Sequence, residues 1–305
     1  MAPFAYLPDA AGLLLWNLLN TLILFYALWQ LPLASDKAKL FAVGFILIEL
    51  ITSLQNSQSN GLMAGLIISA FVFLESKKPA WASLCIVLTV FIKLFGAAAF
   101  ALFIFYPGKL KALAYSLCWM VLFALLPLLV VTPSQLNFLY HEWFNLLNHD
   151  QNVSYGLSVA GWLHSWFHLH IPNSIMTACG AILLLLPLFK TSYYSDVKFR
   201  LLFLSSLLVW LVIFNHKAES PTFVIAMAGV AIWYFSQEKK IENTVLLVIA
   251  FVFTSLSQTD LFPREFREIF VAPYVLKAIP CILIWLKIVH NMLLYEGKKI
   301  PSHIT

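Results

Sequence analysis

Residues 61–106 read GLMAGLIISAFVFLESKKPAWASLCIVLTVFIKLFGAAAFALFIFY, and the spacing of their few polar residues decides the fold. Three apolar runs, 61–75, 80–93 and 94–106, are separated by ESKKP at 75–79 and by a single lysine, Lys93. Runs of this kind belong in hydrocarbon, where only helices and closed barrels satisfy every backbone N–H and C=O internally. Each is shorter than the ~20 residues of a straight span. The two beside Lys93 lie between the pairs Lys77/Lys78 and Lys109/Lys111, which charge counting puts on one side of the membrane. A helical hairpin over 80–106, with IKLFG at its tip, meets both constraints. It carries Lys93 to the side opposite those four lysines.

The rest of the 305-residue chain repeats the pattern. It is 61% hydrophobic and 11% charged, with 26 Phe and 10 Trp, which leaves too little polar surface for a soluble domain. Further apolar runs at 11–33, 40–54, 112–132, 173–189, 201–215, 221–236, 243–257 and 271–291 predict an all-α polytopic transmembrane bundle. We expect about 9–11 membrane segments in one integral membrane domain over 1–305. The segment 133–172 is expected to form an extracytoplasmic loop with interfacial helices. Thirteen of the 19 Lys and Arg fall in one set of alternate loops, and the other set holds only Lys217, Arg264 and Arg267. The first set is therefore cytoplasmic, together with the C-terminus. The N-terminus then falls outside, although MAPFAYLPDA has no basic flank of the kind a signal peptide carries, so a further helix ahead of residue 1 is expected. The net charge of +5 is spread over loops and forms no nucleic-acid-binding face. The four cysteines lie inside apolar runs without metal or redox spacing and read as small buried hydrophobes. No metal or cofactor is expected.

Polar chemistry collects on the outer side. The loop QNSQSN at 55–60 is rich in amides, and 133–172 contains His141, Glu142, His149, Asp150, Asn152, Ser154, His164, His168 and His170. Lys217, Glu219 and Ser220 lie in one short turn, and Asp260, Arg264, Glu265, Arg267 and Glu268 in the last outer loop. Each feature has two readings. Lys93 can snorkel to headgroups or bind an anion. His164 and His168 have i, i+4 spacing, but HSWFHLH is better read as an aromatic interfacial helix than as a metal site. Arg264 and Arg267 can anchor a helix at the lipid surface. Glu49, isolated in AVGFILIELITSL, is neutral or paired. The reading that joins these features makes Lys93, Lys217, Arg264 and Arg267 the holders of a phosphate on a lipid tail. Gln58, Asn60 and Asn152 then serve sugar hydroxyls, because an amide offers donor and acceptor together.

These residues resemble a known family. QSNGLMAGLIISAFVFLESKKPAWASLCIVLTVFIKLFG, at 58–96, is similar to the signature of glycosyltransferase family 87, membrane transferases of the GT-C fold that use polyprenol-phosphate-mannose-type donors. Gln58, Asn60 and Lys93 fall on its matching positions. QNVSYG carries Asn152 and Ser154 onto an N-x-S, HKAESPTFVIAMAGVAIW carries Ser220 and Pro221 onto a later S-P, and PFAYLPDAAGLLLWNLLN resembles a loop that enters an LWN helix. The resemblance implies transfer of a hexose, mannose above all, from a polyprenyl phosphate to a glycan or lipid acceptor. It also implies residence in a bacterial inner membrane with the active face outside. The family places a catalytic aspartate after its first helix. No residue of this chain matches it, and Glu142, Asp150 and Glu219 are the substitutes available.

Two other functions remain open at this point. A transporter of lipid-linked saccharides would need polar groups at both faces and broken helices in matching halves. A non-catalytic, truncated paralogue or assembly partner would need no carboxylate at all.

Overall fold

A computed structural model describes residues 4, 6–149 and 154–297. Every regular element among them is helical. The chain enters through α1 (Asp9–Trp29) and α2 (Asp36–Gln55), the latter capped by the Ser35 hydroxyl, which accepts from the Ala38 N–H at 3.2 Å. There follow α3 (Asn60–Glu75), α4 (Pro79–Ile92), a 3-10 helix over Leu94–Phe105, and α5 (Lys109–Leu125). The segment 133–172 contains α6 (Pro133–His149) and α7 (Val159–Phe167). The remainder comprises α8 (Asn173–Leu185), α9 (Val197–Ile213), α10 (Phe223–Phe235), α11 (Ile241–Ala250), the single turn α12 (Arg264–Phe266) and α13 (Ile279–Leu293).

The apolar runs read from the sequence fall on these helices, with one exception that matters. The run 271–291 is not one helix: residues 272–278 are irregular turns, and α13 starts only at Ile279. Pro273 and Pro280 explain it, since a proline lacks the N–H that continues a helix and is tolerated in the first turn of a new one. Lys277 sits in that break.

The expected hairpin is present. Lys93 leaves the helical region at φ −148° and ψ 124°, and the 3-10 arm folds back on α4. The arms touch at Gly96, where a Cβ would stand 2.5 Å from the Thr89 hydroxyl, so only glycine allows this approach. At ~1.5 Å per residue, the 14-residue α4 spans only ~21 Å. It is too short to cross ~30 Å of hydrocarbon unaided.

The core is a central group of short helices inside a ring of longer ones. α3, α9 and α10 are buried on nearly every face, as their uniformly apolar sequences require. α9 and α10 meet at Gly229, whose Cβ would lie 2.8 Å from the Ser205 carbonyl. By contrast α1, α2 and the stretch Lys109–Leu129 are long and apolar enough to cross a membrane. They expose leucines such as Leu14, Leu22, Leu40 and Leu117, an apolar outer surface suited to lipid.

The two ends of the bundle differ. At one, the Arg200 guanidinium grips both Glu75 carboxylate oxygens at 2.7 and 2.8 Å, and the Tyr106 hydroxyl donates to the same carboxylate. This joins the ends of α3 and the hairpin to the start of α9. The Lys190 ammonium donates to the Tyr295 carbonyl nearby, adding the end of α13. The loops that follow α3, the hairpin and α8 therefore meet at this end, and Lys93 lies at the other. Arg200 thus acts in packing as well as in charge bias. Arg200→Met strands the Glu75 carboxylate and is expected to cost about 3 kcal/mol, read as a lowered unfolding midpoint of the detergent-solubilised protein.

Candidate active site at the hairpin tip

The site begins with an amide loop that α1 holds in place. The Trp16 indole N–H donates to the Ser57 carbonyl at 3.0 Å, and the Asn20 carboxamide accepts from the Leu62 N–H at 2.9 Å. The bond to Asn20 satisfies one of the first N–H groups of α3, which have no partner within the helix, and the bond from Trp16 fixes the loop before it. Ser57 takes a left-handed φ of 51°, which turns the chain so that Gln58 and Asn60 face the hairpin tip.

Asn60 is fully buried and fully used. Its Nδ2 donates to the Pro221 carbonyl at 2.9 Å and to Gln58 Oε1 at 2.6 Å, while its Oδ1 accepts from the Lys93 ammonium at 2.7 Å. Gln58 Nε2 in turn donates to the Glu219 carboxylate at 3.0 Å. Lys93 is half-buried, and its Nζ also lies 5.9 Å from the centre of the Phe95 ring. The only hydrogen bonds to its ammonium among the described residues come from neutral amide oxygens. The Glu219 carboxylate joins this network only through Gln58.

Below this cluster lies a buried ion pair that the sequence did not reveal. Lys277 and Glu49 are 1% and 0% exposed, and their Nζ and Oε1 atoms are 2.8 Å apart. The same ammonium donates to the Ser220 hydroxyl at 2.8 Å and stands 5.3 Å from the centre of the Phe223 ring. Ser220 lies between Glu219 and Pro221, the two residues that hold Gln58 and Asn60. The pair thus supports the turn that positions the amides. One signal pointed to Lys277: a lysine between two prolines in an apolar run marks a broken helix with a charge to place. Glu49 was visible as isolated, but its partner, 228 residues away, was not.

Of the residues singled out in the sequence, Gln58, Asn60, Lys93, Glu219 and Ser220 come together. Arg264 and Arg267 are engaged within their own loop. Arg264 is 82% exposed and pairs with Glu268 at 2.7 Å, and Arg267 contacts Asp260 at 3.1 Å. Lys217 is exposed on the turn before Ala218. Glu142 is exposed on α6 beside Asn145. Asp150 and Asn152 lie outside the described residues. Ser154 belongs to a segment that docks on the Glu219 turn, where the Leu157 N–H donates to the Ala218 carbonyl at 2.8 Å. Gly156, at φ 54°, makes this docking possible, since a Cβ there would stand 2.4 Å from the His216 carbonyl. The i, i+4 histidines do not share a helix face, because His168 ends α7 with φ 54°. His164 instead stacks on Tyr155, with ring centres 4.5 Å apart.

An all-helical bundle with an apolar outer surface and a polar cluster at one end defines a membrane protein. The chain belongs to glycosyltransferase family 87, whose family model matches residues 1–256. The match spans the amide loop, the hairpin, the Glu219 turn and Glu49, and it ends before Lys277. No curated protein matches the chain. Membership makes this a membrane glycosyltransferase, working on a donor and an acceptor.

The buried pair gives a direct expectation. Lys277→Met leaves the Glu49 carboxylate alone in the core and should lower stability by about 3–5 kcal/mol. The double variant Glu49→Leu/Lys277→Met should recover most of that loss, measured by thermal unfolding in detergent.

Proposed function

We propose that the protein transfers a hexose, mannose first among the candidates, from a polyprenyl phosphate to a glycan or lipid acceptor at the outer face of a bacterial inner membrane. The observation that carries this reading is the Lys93 ammonium, fixed by Asn60 at 2.7 Å at the tip of a hairpin. A leaving phosphate on an isoprenoid tail needs a cation at the edge of hydrocarbon, and Lys93 offers one. The charge bias of the loops supports placing this end outside and the Arg200 end in the cytoplasm.

In this reading the acceptor hydroxyl attacks the anomeric carbon from the face opposite the phosphate. The new C–O bond forms as the bond to the phosphate oxygen breaks, and the electron pair leaves with the phosphate. Lys93 stabilises the charge that develops there. The acceptor proton passes to a carboxylate. Among the described residues Glu219 is the carboxylate bonded into the Lys93 cluster, so we assign it this role in place of the aspartate that the resemblance implies. Asn60, buried with its amide fully used, orients the lysine, and the half-buried Gln58 orients the lysine and the transferred sugar. Arg264 and Arg267, in an exposed loop, serve the lipid surface around the donor.

Lys93→Ala should cut transfer from radiolabelled polyprenyl-phosphate-mannose in membranes by about 10²–10³-fold. Undiminished transfer would remove the phosphate assignment. Glu219→Gln keeps the bond to Gln58 in shape but not the base, and should lower kcat by at least about 10²-fold with little change in donor KM. An unchanged kcat would return the search for the base to other carboxylates.

A further inference from the structure

Beyond the Lys93 cluster, the described residues enclose a second site. A cavity of about 760 Å³ lies between the 154–155 segment, the start of α8 and the turn at His216. That volume is in the range of small-molecule binding sites. Among the described residues its lining contains Ser154, Tyr155, His170, Asn173, Thr177 and His216, and no Lys, Arg, Asp or Glu. Hydroxyls, an amide and imidazoles therefore face the space, above an apolar floor of Ile171, Pro172, Ala178 and Ala181.

This chemistry selects the ligand class. A phosphate or carboxylate would meet no cation, and a lipid tail would leave the polar groups unpaired at a cost of about 1–3 kcal/mol each. A neutral saccharide satisfies both halves of the lining: its hydroxyls exchange hydrogen bonds with Ser, Thr, Asn and His, and its C–H faces cover the apolar floor. Asn173 Nδ2 donates to the Ser154 carbonyl at 3.2 Å, which ties the start of α8 to the 154–155 segment.

The position fits an acceptor. The turn that carries His216 into the cavity continues through Glu219, which reaches Gln58, to Ser220, which reaches Lys277. A single short loop thus borders the cavity and the Lys93 cluster. We infer that this cavity is the acceptor subsite and binds the neutral glycan portion of the acceptor. The inference rests on the transferase reading for its meaning but not for its test.

The test is direct glycan binding, with no donor and no turnover. Purified protein in detergent is titrated with mannotriose and with maltotriose, followed by saturation-transfer NMR. Wild-type protein should show transfer to at least one of them. Ala178→Trp, which fills the cavity from α8, should weaken it at least tenfold, and Asn173→Ala should weaken it severalfold. Binding should persist in Lys93→Ala, which separates this site from the donor phosphate. An octyl mannoside binding better than the free sugar would mark a lipid-borne acceptor, and equal binding a polymer end; either supports the subsite. Absence of binding to wild type overturns the inference. So does wild-type binding in Asn173→Ala together with a folded Ala178→Trp, or loss of binding in Lys93→Ala alone.

Discussion

The buried bond between Lys277 and Glu49 is the constraint on which the functional end depends. Two opposite charges in an apolar core are tolerated only as a pair with further hydrogen bonds, and here Ser220 supplies one. The pair ties α2 to the break before α13. Through Ser220 it also fixes the turn whose Glu219 and Pro221 hold Gln58 and Asn60. Lys93 is therefore oriented by a chain of contacts that ends in a charge pair deep in the bundle. The pair's net worth to stability is small compared with the penalty for breaking it, which suits a role in geometry.

Short helices and glycines make this arrangement possible. α3, α4 and α10 are too short to span alone, so their ends stop inside the outline of the longer helices and bring loops into a recess. Gly96 closes the hairpin on Thr89, and Gly156 lets the Ser154 segment lie against the His216 turn. A side chain at either position would push apart the elements that meet at the site. The opposite end uses a different anchor, the two-pronged Arg200–Glu75 contact, which joins three elements.

The two regions at this end of the bundle differ in charge. Lys93 sits among amide oxygens, while no charged residue lines the cavity beside it among the described residues. In the proposed reaction the sugar passes from an anionic leaving group to a neutral sugar alcohol, so the two environments lie side by side and stay distinct. A shared turn, His216 to Ser220, is a compact way to couple them.

Much of this was legible in the sequence because it rests on local composition. The helices follow from apolar runs, the hairpin from two runs too short for the lysine pairs around them, and the importance of Lys93 from one charge in hydrocarbon. Gln58, Asn60, Glu219 and Ser220 stood out as polar residues on one side of alternate loops. Which of these meet is not a local property. Arg264 and Arg267 looked equal to Lys93 by charge, yet exposed carboxylates of their own loop take them up. Lys277 looked like part of a span, yet two prolines break the helix and turn it inward to Glu49. The cavity bordered by Ser154 and Asn173 draws on Ser154 and His170, visible singly in the sequence, but their meeting with Asn173 and His216 is not. Apolar periodicity is written residue by residue and survives reading in one dimension, whereas pairing between residues 228 positions apart exists only once the bundle has closed.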